Sequence, residues 1–474
     1  MSNAQYYMYN GTLMINDDCQ YIMLVKTDAK ANNNKFYEMT MDSSCIVTAR
    51  YGRVGSDGTK TNVGRGFSAM RQKAMEKFRK GYLPVETVTN TDSVNAHAKN
   101  NMLLDCAIKE LIPSKAKKAE KELLSKLINM LVSTNQHQIA NFSGGAIQID
   151  DSGLVKTAVG VVSLKSIHEA RKTLDKLSNL DVNKNEQDFI DSLNHYLMLI
   201  PQKVNHSRGW HLSFFRQHSF AQQYEFLEQL EKSVEMYEDI LAQEQKNKSS
   251  SNSDDNQPKV FNTQLKLVTN KKVIDKIKSY FDDNKNAAHG SSKLQLLNVY
   301  EIVGLYNDEQ LIAFDKLAKE KGNVQEYWHG SRNYNLLSIL KNGLIIPKSN
   351  SFNVTGRMFG DGVYFSNQST KSLNYSQGYW DRGRGIDNNC FMFLADVIMG
   401  KAYEASHKQA KLDCQNTRKT RVYPVKGYDS VIARGGVKNV THSGDICSLS
   451  NDEMIVFDLR QIKLKYLCEF GFGD

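Results

Sequence analysis

The period of the apolar positions changes several times along the chain, and each change marks a different kind of element. Near the N-terminus the apolar residues come in short continuous runs such as Tyr21-Ile22-Met23-Leu24-Val25, which read as strands. A helical segment is expected over Ser68–Lys80, where Met70, Ala74 and Phe78 recur four apart on one face. From about residue 100 to 243 the pattern is helix after helix. Leu123, Leu127 and Leu131 share one face, Ile167, Ala170 and Leu174 a second, and Phe189, Leu193, Tyr196 and Leu197 a third. Ser163 reads as the N-cap of the second helix, and Pro201 closes the third. Residues 243–258 (QEQKNKSSSNSDDNQP) hold nothing apolar to bury and read as a flexible linker or long exposed loop. From about residue 260 onward short strands alternate with helical turns. Ile462, Leu464, Tyr466, Cys468 and Phe470 alternate with Lys463, Lys465, Leu467 and Glu469, a strand with one largely apolar face.

Bulk properties bound this picture without deciding it. The 474 residues suffice for roughly two to four domains, each with its own core. A hydrophobic content of 40% and a charged content of 24% are those of a soluble globular protein. No run approaches the roughly eighteen apolar residues of a membrane span, so no membrane partner is expected. The N-terminus, MSNAQYYMYN, lacks the basic and apolar regions of a secretory signal. The seven cysteines are scattered, with no C-x-x-C pair, which argues against a disulfide framework or a zinc site and suits a reducing compartment. A net charge of +9 permits a nucleic-acid partner but does not establish one.

The chemistry concentrates in the last third. Three segments stand out: Tyr327-Trp328-His329-Gly330-Ser331-Arg332, Phe359-Gly360-Asp361-Gly362-Val363-Tyr364-Phe365, and Asp452-Glu453-Met454-Ile455-Val456-Phe457-Asp458. Together they resemble the His-Tyr-Glu triad of the poly(ADP-ribose) polymerases, NAD-consuming ADP-ribosyltransferases, here His329, Tyr364 and Glu453 as catalytic residues. Breaking the nicotinamide–ribose bond leaves a sugar with oxocarbenium character. A carboxylate on the ribose 2′-hydroxyl stabilises that charge and polarises an incoming acceptor hydroxyl. A flat nicotinamide is held by aromatic stacking and by hydrogen bonds to its carboxamide.

The resemblance distributes these roles over the chain. It implies that His329 binds the adenosine ribose with Ser331 beside it, and that the Gly330 backbone holds the carboxamide. Lys371-Ser372-Leu373-Asn374-Tyr375 matches the family's K-S-x-N-Y segment, so Ser372 and Tyr375 are expected on nicotinamide, with Tyr364 opposite and Phe365 beside it. Asn335 matches an asparagine near the adenine. NAD enters as substrate, and no metal is implied. The chain departs from the family at Arg357 and Asp361, where a tyrosine and a lysine are common, and at Ile345, where an arginine often stands. The first two flank the acceptor side and bear on polymer growth and acceptor choice rather than on NAD cleavage.

Two further regions resemble the same family. Asn32 to Tyr37, followed by Ala49-Arg50-Tyr51-Gly52-Arg53-Val54-Gly55, resembles a WGR domain with Tyr51 in place of the tryptophan. An aromatic face can stack on an exposed base or sugar, and a guanidinium can grip phosphate. Tyr51, Arg53, Arg65, Lys73 and Lys77 are therefore expected to contact DNA ends or nicks. Residues from about 105 to 243 resemble the family's helical regulatory domain. The expected fold is multidomain α+β: a small β-rich WGR-like domain over 5–90, an α-helical bundle over 105–243, and a mixed α/β ADP-ribosyltransferase fold with a split antiparallel-rich sheet over 260–474. The implied function is DNA-dependent poly(ADP-ribose) synthesis on protein acceptors, including the protein itself, in response to DNA breaks. The alternatives are a mono-ADP-ribosyltransferase with the same site, or an inactive DNA-end-binding scaffold. Localisation is expected to follow the genome: the nucleus in a eukaryote, the cytoplasm or nucleoid otherwise.

Overall fold

The apolar run Tyr21–Val25 is continuous because its strand is buried on both faces. Ile22 and Leu24 face a core shared with Tyr37, Met39, Val47, Ala49, Met70 and Ala74, while Met23 and Val25 join Phe36, Val54 and Ala146 in a second cluster. A computed structural model gives the architecture, and describes residues 6–9, 12–17, 19–28, 33–54, 56, 58–84, 101–157, 160–204, 209–217, 219–249, 259–287, 289–346, 359–377, 389–405, 423–435 and 451–472. The chain folds as two compact units, Met1–Leu103 with Gln136–Leu241 and Leu104–Asn135 with Ala242–Asp474. Among the described residues no helix is long and apolar enough to cross a membrane.

In the first unit, Thr59–Arg65, Ile46–Arg53, Asn33–Met41, Tyr21–Asp28 and Leu83–Pro84 lie side by side in that order, all antiparallel. The helix Gly66–Arg79 covers one face through Met70 and Ala74. The helical part of this unit includes Leu164–Asn179, Glu186–Leu199 and Trp210–Gln217. The faces expected from periodicity are those that are buried: Ile167, Ala170 and Leu174 on the first of these helices, Phe189, Leu193, Tyr196 and Leu197 on the second. Ser163 caps the first through a reciprocal bond with Ser166, its hydroxyl accepting from the Ser166 N–H at 3.2 Å while the Ser166 hydroxyl accepts from the Ser163 N–H at 3.0 Å. Tyr196 donates to the Gln223 side chain at 2.7 Å, Gln223 and Gln202 exchange two 2.9 Å bonds, and Asn34 of the sheet donates to the Gln202 carbonyl at 3.2 Å.

Two expectations change. Ile147–Ile149, Val155–Thr157 and Gly160–Val161 form a small antiparallel sheet inside the region read as all helix. Strands of two or three residues are too short to show a period of two. The expected linker is not loop throughout, because residues 243–249 continue the helix Phe220–Ser249. Glu, Gln and Lys are good helix formers and need no buried face once a helix is nucleated. Residues 250–258 lie outside the described residues.

The second unit carries two sheets. In the larger, Gln264–Leu267, Gln295–Val303, Ile462–Gly471, Cys390–Ile398 and Val324–Gly330 are adjacent in that order and antiparallel throughout. In the smaller, Val363–Phe365, Glu453–Val456 and Ser430–Ala433 are antiparallel, and Ala402–Ala405 adds a parallel edge. This is the split antiparallel-rich sheet expected from the sequence. Among the described residues the two sheets are joined by a bridge at which Trp328 and Ser366 exchange N–H···O=C bonds of 3.0 Å in both directions. Trp328 is fully buried among Phe281, Leu373, Met392, Cys468 and Phe470, with Tyr280 stacked on it at 5.5 Å. The final strand keeps the expected alternation only at its start. From Leu467 to Gly471 every residue is buried, Glu469 included.

The Ser163 cap supplies a stability test. We expect Ser163→Ala to destabilise its unit by about 1 kcal/mol, and Ser163→Asp to restore most of that. Urea denaturation followed by helical circular dichroism measures both.

Candidate active site

The end of the strand Val324–Gly330 and the helix Ser369–Gln377 touch backbone to backbone. A Cβ at Gly330 would collide with the carbonyl of Ser372, so only glycine lets the helix settle there. The helix is pinned along its length by its own hydroxyls. Ser369 donates to the Phe281 carbonyl at 2.7 Å, Ser372 to the Trp328 carbonyl at 3.1 Å and Ser376 to the Phe391 carbonyl at 2.6 Å. Having given its proton to Trp328, the Ser372 hydroxyl is left with acceptor capacity.

His329 precedes Gly330, and its Nδ1 lies 2.9 Å from the Tyr364 carbonyl. Burial, with a smaller contribution from the Lys371 charge, holds its pKa below the ordinary histidine value. The ring is therefore neutral near pH 7. A carbonyl only accepts, so Nδ1 carries the proton and Nε2 presents a lone pair, suited to a hydroxyl donor such as a ribose. Phe365, only 1% exposed, meets the site through the His329 ring at 5.5 Å rather than through open surface.

Strand pairing brings the third motif alongside. Tyr364 lies opposite Ile455 and Phe365 opposite Met454, which sets Glu453 one residue further along. The Tyr364 hydroxyl donates to the Gly360 carbonyl and accepts from the Phe359 N–H, both at 2.9 Å. With its hydroxyl committed to closing that loop, Tyr364 has its ring to offer a ligand. Glu453 is 9% exposed and pairs with Lys371 at 3.0 Å. Tyr375 is 44% exposed, and burial of its surroundings together with the Glu453 charge pushes its hydroxyl up to about 12. Asn335 donates to the Ser331 hydroxyl at 3.3 Å, so these two expected adenosine-side residues are joined. Sequence reasoning misses Lys371. The available signal is the lysine that opens Lys-Ser-Leu-Asn-Tyr, a cation one residue from an expected ligand contact. Arg357 lies outside the described residues. Asp361 and Ile345 are both exposed.

On the first unit, Tyr51 is 39% exposed and stacks on Tyr37 at 5.5 Å and 20°. Lys77 sits over Tyr37 at 4.0 Å and within 5.9 Å of Tyr51, and burial lowers its pKa from the ordinary lysine value. Arg53 follows Tyr51 by two on the same strand, hence on the same face. Lys73 pairs with Glu76 at 2.8 Å. Arg65 is set apart: it pairs with Ile46 at the other end of the ladder from Tyr51, five residues or roughly 17 Å along the strand.

The split sheet thus brings a histidine, a tyrosine and a buried glutamate together at its junction. Residues 271–472 match the poly(ADP-ribose) polymerase catalytic domain, and residues 21–88 match the WGR domain. The chain thus carries a poly(ADP-ribose) polymerase catalytic domain and a WGR domain. It is 28% identical over 339 residues to poly [ADP-ribose] polymerase 1 of Gallus gallus, covering 68% of this chain and 31% of that protein. It is 24% identical over 504 residues to poly [ADP-ribose] polymerase 2-A of Oryza sativa subsp. japonica, covering 97% of this chain and 71% of that one. A protein mono-ADP-ribosyltransferase of Homo sapiens matches at 29% over 191 residues, 39% of this chain and 10% of that protein. The chain thus spans about a third of the length of several relatives, and most of the length of others.

The protonation state of His329 gives a pH test. Its folded pKa lies below the unfolded value, so the native state binds fewer protons between the two. The contribution is complete above the unfolded value of about 6.5 and is lost as pH falls through the folded one. Affinity for NAD should be flat above about pH 7 and should fall on acidification as Nε2 loses its lone pair. Affinity for nicotinamide alone, which has no ribose, should stay level over the same range. Calorimetry across pH 5–8 reads both.

Proposed function

We propose that the protein binds NAD at the junction of the two sheets, cleaves the nicotinamide–ribose bond and transfers ADP-ribose to protein acceptors, including itself. The observation that carries this is the buried Glu453–Lys371 pair at 3.0 Å beside the Gly330–Ser372 contact. In this reading Glu453 holds the ribose 2′-hydroxyl and offsets the positive charge that grows on the sugar as nicotinamide departs. Lys371 fixes the carboxylate. Gly330 and Ser372 hold the carboxamide, Tyr364 and Tyr375 sandwich the ring, and His329, Ser331 and Asn335 take the adenosine side. Phe365 acts from behind, by bracing His329.

The same reading makes residues 5–90 a sensor of DNA ends or nicks, residues 105–243 the regulatory bundle and residues 260–474 the transferase. It places the protein with the genome, in the nucleus of a eukaryote, in a response to DNA breaks. Tyr51, Arg53 and Lys77 form one candidate contact surface, with Lys73 and Arg65 outside its centre. The product we favour is polymer, as named for the relatives that cover most of this chain. Single ADP-ribose transfer is the second reading, favoured by Asp361 where a lysine is common. Labelled NAD, with and without nicked DNA, decides between them: a ladder that grows with DNA supports polymer, one discrete band supports single transfer, and no released nicotinamide refutes both.

Glu453→Gln keeps the shape and removes the charge. We expect transfer to fall by roughly a hundredfold or more with little change in NAD affinity. Polymer should vanish before residual nicotinamide release, and unchanged product would refute the assignment of Glu453. Tyr51→Ala should cut stimulation by nicked DNA several-fold while leaving DNA-independent turnover unaltered. Nicotinamide release against DNA concentration measures this, and wild-type stimulation would move the nucleic-acid surface elsewhere.

A further inference from the structure

Glu469 is a carboxylate the proposed mechanism does not use, 7% exposed on the final strand Ile462–Gly471. Among the described residues no lysine, arginine or histidine pairs with it. Three neutral donors hold it instead: Asn298 Nδ2 at 2.9 Å and Tyr300 Oη at 2.8 Å on one oxygen, and Asn389 Nδ2 at 2.5 Å on the other. A buried carboxylate without a counter-ion is costly unless such donors offset it, and an apolar residue would pack there without that cost. The arrangement therefore needs a reason beyond stability.

Its reach supplies one. Asn389, whose side chain bonds Glu469, accepts through its backbone carbonyl from Asn333 Nδ2 at 3.0 Å. Asn333 is 1% exposed and opens the helix Asn333–Asn342, whose first turn carries Asn335 and, through it, the bond to Ser331. One chain of hydrogen bonds thus runs from Glu469 through Asn389 and Asn333 to the turn that presents Ser331 and Asn335. The nicotinamide side is tied down separately, by the bonds of Ser369 and Ser372 to Phe281 and Trp328.

We infer that Glu469 is a positioning residue for the adenosine half of NAD, acting through Asn389 and Asn333. This rests on the NAD site proposed above. Loss of the relay loosens the Ser331–Asn335 turn and leaves the nicotinamide end intact. Its signature is a split: weaker NAD, unchanged nicotinamide, unchanged turnover at saturation.

The test uses the full chain with Glu469→Ala, Asn333→Ala and the double variant, plus Glu469→Gln as the isosteric control. KM for NAD should rise about tenfold in each single alanine variant, the scale of one charge-assisted hydrogen bond, with kcat within about twofold. The double variant should be no worse than either single one, because both break the same relay. Glu469→Gln, which keeps an oxygen for Asn389, should recover most of the loss. The dissociation constant of nicotinamide should be that of the wild type throughout. Unchanged KM in Asn333→Ala overturns the inference, as do fully additive effects or a parallel loss of NAD and nicotinamide. If Glu469→Ala does not fold, Asn333→Ala compared with Asn389→Ala decides the matter in the same way. Failure of the underlying site would look different, because the wild type would then bind neither NAD nor nicotinamide.

Discussion

The carbonyl of Trp328 is the point on which the catalytic unit depends. A carbonyl oxygen has two lone pairs, and both are used here: one accepts from the Ser366 N–H at 3.0 Å, the other from the Ser372 hydroxyl at 3.1 Å. The first bond joins the two sheets. The second fastens the helix Ser369–Gln377 across their junction. Because Trp328 is itself locked among Phe281, Leu373, Cys468 and Phe470, that oxygen has nowhere to move. His329 and Gly330 follow it in sequence, Lys371 and Tyr375 lie on the fastened helix, and Tyr364 and Glu453 arrive on paired strands of the second sheet. Residues far apart in the chain come together because one buried indole fixes one acceptor.

Charge is handled differently in three places. Glu453 is paired with a buried lysine, Glu469 is satisfied by neutral donors, and Lys77 is set over a cluster of tyrosine rings. A carboxylate paired with a lysine is held in one place by that bond. A carboxylate held by amides and a phenol has no such partner to share with and serves geometry, which is the role inferred for Glu469. A lysine over π faces gives up hydration in exchange for quadrupole attraction.

Much of this is legible in the residues. Helical faces such as Ile167–Ala170–Leu174 and the Ser163 cap follow from period and propensity, which act within a few residues. The split sheet and the three motifs are reached by resemblance, since no local rule relates His329 to Glu453. What stays hidden depends on contacts between segments far apart in the chain. Lys371 looks like any surface lysine until the fold buries it against Glu453. Glu469 sits at a polar position of an alternating strand, and only the stacking of further structure on that face buries it. The helical stretch 243–249 is hidden for the opposite reason: it has no apolar residue, so it leaves no periodic trace.

The most direct test of the central claim is a crystal structure with a non-hydrolysable NAD analogue. The nicotinamide ring should lie between Tyr364 and Tyr375, its carboxamide within hydrogen-bonding distance of the Gly330 backbone and the Ser372 hydroxyl, with the Trp328–Ser366 bridge undisturbed. A ring seated away from Gly330, or a bridge broken to admit it, would contradict the proposed site.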